Sequence, residues 1–198
     1  EVCHAMAARE LPAGRPRRGH LEQCLAHLEP VAQADNRFLR SADGEILAAA
    51  SAGTITLCTL GPLTNVALAL VREPRIASRI KQIVAMGGGY FEQGNVTPSA
   101  EFNIYVDPHA ARIVFEAGIP ITLIPLDCTH QALTTAKRVA QFRDMGTRTG
   151  AATAALLDFF ERFDEQKYGT DGGPLHDPCV IAWLLKPELF KGRDCNVS

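Results

Sequence analysis

The strongest constraint on how this chain can fold is an alternation. Short β-branched, apolar runs end in glycine or proline, and each is followed by a stretch with helical spacing. Thr54-Ile-Thr-Leu-Cys-Thr-Leu60 stops at Gly61-Pro62, Gln82-Ile-Val-Ala-Met86 stops at Gly87, and Pro120-Ile-Thr-Leu-Ile-Pro-Leu126 runs up to Asp127. Runs of this length and composition suit buried strands. Between them, Thr64 is a candidate N-cap for a helix to Val71 that Pro74 closes, and a short helical piece precedes Lys81. Asp107-Pro108 sets a capping residue before a proline at the first helical position and opens a helix over Ala110 to Ala117. Further helices are predicted at 136–145, at 151–165 and beyond His176-Asp177-Pro178 through Leu185. Ala155, Leu156, Phe159, Phe160 and Phe163 recur at helical spacing and predict a core-facing stripe.

Strands alternating with helices are joined by right-handed crossovers. The predicted fold class is therefore α/β: a mostly parallel, doubly wound, Rossmann-like sheet with helices on both faces. Ligands of such sheets bind beyond the carboxyl ends of the strands, where Leu60-Gly61, Met86-Gly87 and Asp127 to Thr129 fall. The first 53 residues read differently. Pro12, Gly14, Pro16, Arg17, Arg18 and Gly19 crowd a loop-like stretch and only Leu21 to Val31 has helical spacing, so irregular structure with one or two helices is expected.

Three glycines in a row, Gly87 to Gly89, make sense where the backbone must turn tightly or admit a close neighbour. They do not form a dinucleotide loop, because no G-x-G-x-x-G turn opens a helix and Tyr90 to Pro98 reads as loop. Glu101 and Asn103 lie two apart, so in an extended segment both side chains point the same way, and a carboxylate beside an amide suits neighbouring hydroxyls. The plainer alternative is a polar loop with a solvated glutamate. His176-Asp177 likewise has two readings, a functional pair or an ordinary helix cap before Pro178. His109 and His130 read as surface or satisfied residues.

Lys and Arg number 20 against 22 Asp and Glu, with no block of one sign, so neither nucleic acid nor an anionic membrane is indicated and the expected partner is a small molecule. No apolar run reaches membrane-spanning length. Six cysteines without a C-x-x-C pair fit reduced thiols and a cytoplasmic setting. With 46% hydrophobic residues over 198, the chain is long enough for one substantial core, and a single domain is expected.

Taken in order and spacing, Leu60-Gly-Pro-Leu-Thr-Asn65, Val84-Ala-Met-Gly-Gly-Gly-Tyr90, Ala100-Glu-Phe-Asn-Ile104 with Asp107-Pro108, and His176-Asp-Pro-Cys179 resemble the inosine-uridine preferring nucleoside hydrolases. The resemblance covers residues 54 to about 190 and leaves residues 1–53 as a divergent head. It implies hydrolysis of the N-glycosidic bond of a small-molecule ribonucleoside, with one calcium ion holding the ribose hydroxyls and the attacking water. It further implies Asp177 and the Leu60 carbonyl as metal ligands, Asn95, Glu101 and Asn103 as ribose binders, and Met86 lining the sugar pocket. His176 would sit near the base, placed to protonate a leaving purine. Family members often form dimers or tetramers, so a homo-oligomer is open to this chain.

One departure matters. The family opens with an aspartate-rich motif, D-x-D-x-x-x-D-D, that supplies most calcium ligands and the base. Here only Asp35 and Asp43 precede residue 54, at the wrong spacing. The expectation is a weakly active or inactive chain whose complete family form is a calcium-dependent hydrolase. The rival is a truncated or degenerate homologue that binds a nucleoside or a partner and catalyses nothing. A generic doubly wound binding domain would require the spaced motifs to be coincidence.

Overall fold

The structure, a computed structural model, describes residues 3–8, 52–168 and 172–197. The predicted helix at Leu21 to Val31 and the aspartates Asp35 and Asp43 lie outside them. The three predicted strands are β2 (Ile55–Thr59), β3 (Ile80–Met86) and β4 (Ile121–Ile124), and they are parallel neighbours in one sheet. The sheet is wider than expected. Beyond β4 lie β1 (Cys3–Ala8), antiparallel to β4, and β5 (Phe190–Cys195), parallel to β1, in the order β2-β3-β4-β1-β5. Neither outer strand announces itself in sequence: Cys-His-Ala-Met-Ala-Ala has no β-branched residue, and Phe-Lys-Gly-Arg-Asp-Cys carries charges that suit an edge strand.

Alternate residues of β3 and β4 serve different layers, as the two-residue period of a strand requires. Ile83, Ala85, Ile121 and Leu123 pack with α1 (Thr64–Arg72) and α3 (Pro108–Phe115) through Ala67, Ala110 and Val114. Val84, Met86 and Ile124 pack with α4 (Leu126–Thr129) and α7 (Pro178–Leu185) through Leu126, Cys128, Cys179 and Val180. Helices therefore cover both faces. Each fully buried Ile or Val of these layers contributes about 1.5–3 kcal/mol.

Capping differs from expectation at Thr64. Thr64 is the first residue of α1 rather than its cap, and its hydroxyl donates to Asp107 Oδ2 at 2.7 Å. Asp107 does cap α3, accepting from Ala110 N at 3.0 Å through its other oxygen, so one carboxylate links the starts of two helices. The aromatic stripe is also corrected. On α6 (Arg148–Tyr168), which packs against α5 (Ala136–Asp144), Gly150 and Ala154 are buried, whereas Ala155, Leu156, Phe159 and Phe160 are exposed; the side chain of Phe163 falls outside the described residues. Helical spacing reveals a stripe but not which side of it meets the body of the protein.

Candidate functional site

The carboxyl end of β3 runs directly into Gly87 to Gly89, where two glycines answer close neighbours and one a positive φ. A Cβ at Gly87 would sit 3.3 Å from Glu101 Oε2, and one at Gly89 would sit 2.8 Å from Glu92 O. Gly88 has φ +73°, a conformation L side chains resist, and its carbonyl accepts from Leu126 N at 2.9 Å, which extends the pairing of β3 with the β4 segment.

Glu101 and Asn103 meet at this turn by a different route from the extended one predicted. Glu101 is the N-cap of a short helix, α2 (Phe102–Val106), and Asn103 lies in its first turn. Glu101 Oε2 accepts from Asn103 N at 2.9 Å, Ile104 N at 3.4 Å and Gly88 N at 3.1 Å. The Asn103 amide donates to Met86 O at 3.0 Å and approaches Met86 Sδ at 3.3 Å. With 3% and 7% of their surface exposed, Glu101 and Asn103 are not a solvated polar loop. Glu101 Oε1 and Asn103 Oδ1 take no part in these bonds. Asn95 stands behind them, its Oδ1 accepting from Phe102 N at 2.8 Å.

Asp127, at the start of α4, carries a role the sequence reading missed. Its carboxylate accepts from Tyr90 N at 2.7 Å, Phe91 N at 2.6 Å and Glu92 N at 3.0 Å, clamping the loop after the glycines. Partial burial alone would raise its pKa; the backbone N–H groups of Glu92, Tyr90 and Phe91 outweigh that and hold the carboxyl below its ordinary value. The clamped loop presents Tyr90 and Phe91 edge to face, with the Arg193 guanidinium of β5 4.4 Å from the Tyr90 ring centre. Glu92 in turn lies 3.3 Å from His130 Nδ1. No local sequence pattern signals a carboxylate that grips amides 35 to 37 residues away.

His176 and Asp177 stand at the start of α7, whose Cys179 and Val180 pack against Met86, Leu126 and Cys128. His176 Nδ1 lies 2.8 Å from Thr129 Oγ1, and its ring centre is 5.8 Å from that of His130. Asp177 stands at the N-cap position of α7 before Pro178, as the cap reading expects, but its side chain makes no capping bond. Surrounding atoms partly desolvate this otherwise exposed carboxyl and raise its pKa. At Cys179 the Cys128 thiol donates to the sulfur and lowers its pKa, more than burial raises it.

Asn103 thus touches both Glu101 and Met86, Asn95 bonds the neighbouring Phe102, and Cys179 and Val180, just after His176-Asp177, pack with Met86. Leu60 follows the end of the neighbouring strand β2 and is 44% exposed. As calcium ligands, the Leu60 carbonyl and Asp177 offer two hard oxygens where calcium takes six to eight, and no group of three His, Cys, Asp or Glu residues placed to hold a metal occurs among the described residues. The described residues do not by themselves fit a complete calcium site. Among them, no helix is long and apolar enough to cross a membrane.

The sequence matches the inosine-uridine preferring nucleoside hydrolase family over residues 11–198, further toward the amino terminus than the motifs alone indicate. It is 56% identical over 146 residues to an uncharacterized protein of Schizosaccharomyces pombe, covering 74% of this chain and 47% of that one. It is 52% identical over 141 residues to the pyrimidine-specific ribonucleoside hydrolase RihA of Salmonella paratyphi B, covering 71% and 45%. The structure resembles the purine-preferring ribonucleoside hydrolase of Gardnerella vaginalis, with a TM-score of 0.69, 36% identity and coverage of 76% of this chain and 47% of that one. It also resembles a plant nucleoside hydrolase, with a TM-score of 0.72, 32% identity and the same coverage. The chain spans about half the length of the curated relatives it matches. A match from residue 11 to the end, joined to this level of identity and this likeness of fold, makes the chain a member of the inosine-uridine preferring nucleoside hydrolase family.

Proposed function

We propose that the carboxyl end of β3 is the ribose-binding part of a ribonucleoside hydrolase site, and that its reaction is hydrolysis of the N-glycosidic bond to free base and ribose. The observation that carries this reading is the convergence of Glu101 and Asn103 on Met86 and Gly88, with Oε1 and Oδ1 outside the internal bonds. Two acceptors so placed suit adjacent ribose hydroxyls. Breaking a ribosyl C–N bond builds positive charge on the sugar, and the buried Glu101 carboxylate stabilises it. His176 serves as the acid that protonates the leaving base. Pyrimidine ribonucleosides are the proposed substrates, since the named relatives near half identity are pyrimidine-specific. Among the described residues, Cys58, Cys128, Cys179 and Cys195 form no disulfide, which suits a cytoplasmic setting.

Calcium in the family manner would be held by Asp177 and the Leu60 carbonyl together with further ligands. With two donors, the chain alone is proposed to turn over slowly, and the reading of nucleoside binding without catalysis rests on the same shortfall. The test adds calcium and uridine or inosine to the purified chain and follows release of free base, with a calorimetric nucleoside titration alongside. Turnover well below about one per second is expected. Turnover at or above that rate would show a site completed by other residues of the chain, and binding with no base release at all would favour the non-catalytic reading.

A further inference from the structure

Deepening that reading, and resting on its assignment of Asn103, we infer that Met86 is a positioning residue. Its carbonyl oxygen and thioether sulfur together fix which way round the Asn103 amide lies, so that Asn103 offers a ligand an acceptor and not a donor. The two ends of an asparagine amide have nearly the same shape, so its neighbours decide which end faces which way. Here both neighbours decide alike. The Asn103 amide nitrogen lies 3.0 Å from Met86 O and 3.3 Å from Met86 Sδ. Neither of those atoms carries a proton: a backbone carbonyl only accepts, and a thioether sulfur accepts weakly. With Nδ2 turned to them, two hydrogens meet two acceptors. With Oδ1 turned to them, three acceptors face one another with no proton between, at a place where both residues are buried and water is scarce.

Both partners are held, so the amide cannot relieve a wrong orientation by moving away. Met86 pairs with Ile124 of β4 and packs with Ile124, Leu126, Cys179 and Val180. Asn103 N donates to Glu101 Oε2 at 2.9 Å in the first turn of α2. What remains is the turn of the amide, and Met86 sets it. Asn103 Oδ1 takes no bond from the described residues and is not among the sealed polar atoms that lack a partner, so a ligand can reach it. The ligand group that meets it must therefore donate. A ribose hydroxyl does so, whereas an ether oxygen, a fluorine or the lone pair of a ring nitrogen does not.

The test is hydrogen exchange of the Asn103 side-chain amide, read by 1H–15N NMR of the 15N-labelled chain, with its signals assigned by their loss in Asn103→Ser. Exchange at least about tenfold slower than at the exposed Asn65 is expected. Met86→Leu keeps the carbonyl and removes the sulfur, so Asn103 side-chain exchange should quicken about threefold or more while the backbone amides of β3 and α2 keep their protection. Biosynthetic replacement of methionine by norleucine, which has the same shape without sulfur, should act in the same way. Replacement by selenomethionine, whose selenium still accepts, should leave the wild-type pattern. Wild-type exchange as fast as at Asn65 would put the NH2 group in solvent and overturn the inference. So would Asn103 exchange unchanged in Met86→Leu or the norleucine chain, or backbone protection lost in step with the side chain, which would reduce Met86 to packing. If Met86→Leu does not fold, the wild-type and norleucine spectra still decide it. No nucleoside enters the measurement, so its failure is distinct from failure of the hydrolase reading.

Discussion

Replacing Glu101 separates its two duties. In Glu101→Ala, α2 loses its N-cap acceptor, a loss of about 0.5–2 kcal/mol. The part-buried Gly88 N–H loses the charged acceptor that Glu101 Oε2 offers it at 3.1 Å, at a cost of about 1–3 kcal/mol. The two add to about 1.5–5 kcal/mol, because both bonds fall on the same oxygen. For a chain of this size that corresponds to a melting temperature lower by roughly 3–20 °C. Glu101→Gln keeps an oxygen in the place of Oε2 and loses charge assistance, so its loss should be about 1 kcal/mol, while its ribonucleoside affinity should fall about tenfold or more. Thermal unfolding by circular dichroism, paired with calorimetric uridine titration, reads both. If Glu101→Ala melts within a degree of wild type, Oε2 does not hold the glycine turn and the account of the site's construction fails.

Asp127 predicts a pH dependence with a definite sign. Its folded pKa is lowered, so its contribution is fully present above the ordinary aspartate value near 3.9 and is lost as pH falls through the lower folded value. Asp127→Asn should therefore destabilise at pH 7, by about 1–3 kcal/mol for the charge-assisted bonds less a discount for the solvent around them, and urea midpoints of the two proteins should converge in strong acid. Equal midpoints at pH 7 would argue against the clamp. Gly88→Ala forces a side chain into φ +73° and should lose about 1–2 kcal/mol in the same urea assay. Ile83→Ala, at a fully buried position of β3, should lose about 2–5 kcal/mol by chemical denaturation, and a loss below 1 kcal/mol would place β3 outside the core.

How much of this was legible in the sequence depended on whether the cause was local. β2, β3 and β4 were readable because each β-branched run is bounded by its own breakers, and the Asp107 cap because its grammar spans four residues. β5 was not, since an edge strand needs no apolar face. Glu101 and Asn103 were paired correctly for an incomplete reason: they converge because Glu101 caps the helix that holds Asn103, not because the segment is extended. Phe159 and Phe160 misled because spacing fixes a stripe and tertiary packing decides its direction. Asp127 and Thr129 were noted only as lying at a strand end, since their partners sit 35 to 47 residues away and only the folded sheet brings them together.

The central claim is that Glu101 and Asn103 at the end of β3 read ribose hydroxyls. Calorimetric titration of the unmodified chain with uridine and with 2′,3′-dideoxyuridine tests it most directly, because the two ligands share a base and differ only in the groups the two acceptors would bond. Loss of hydrogen-bonded hydroxyls from a site built for them leaves buried polar groups unpaired, so uridine should bind at least about tenfold more tightly. Equal affinity for the two, or no binding of uridine, would contradict the claim.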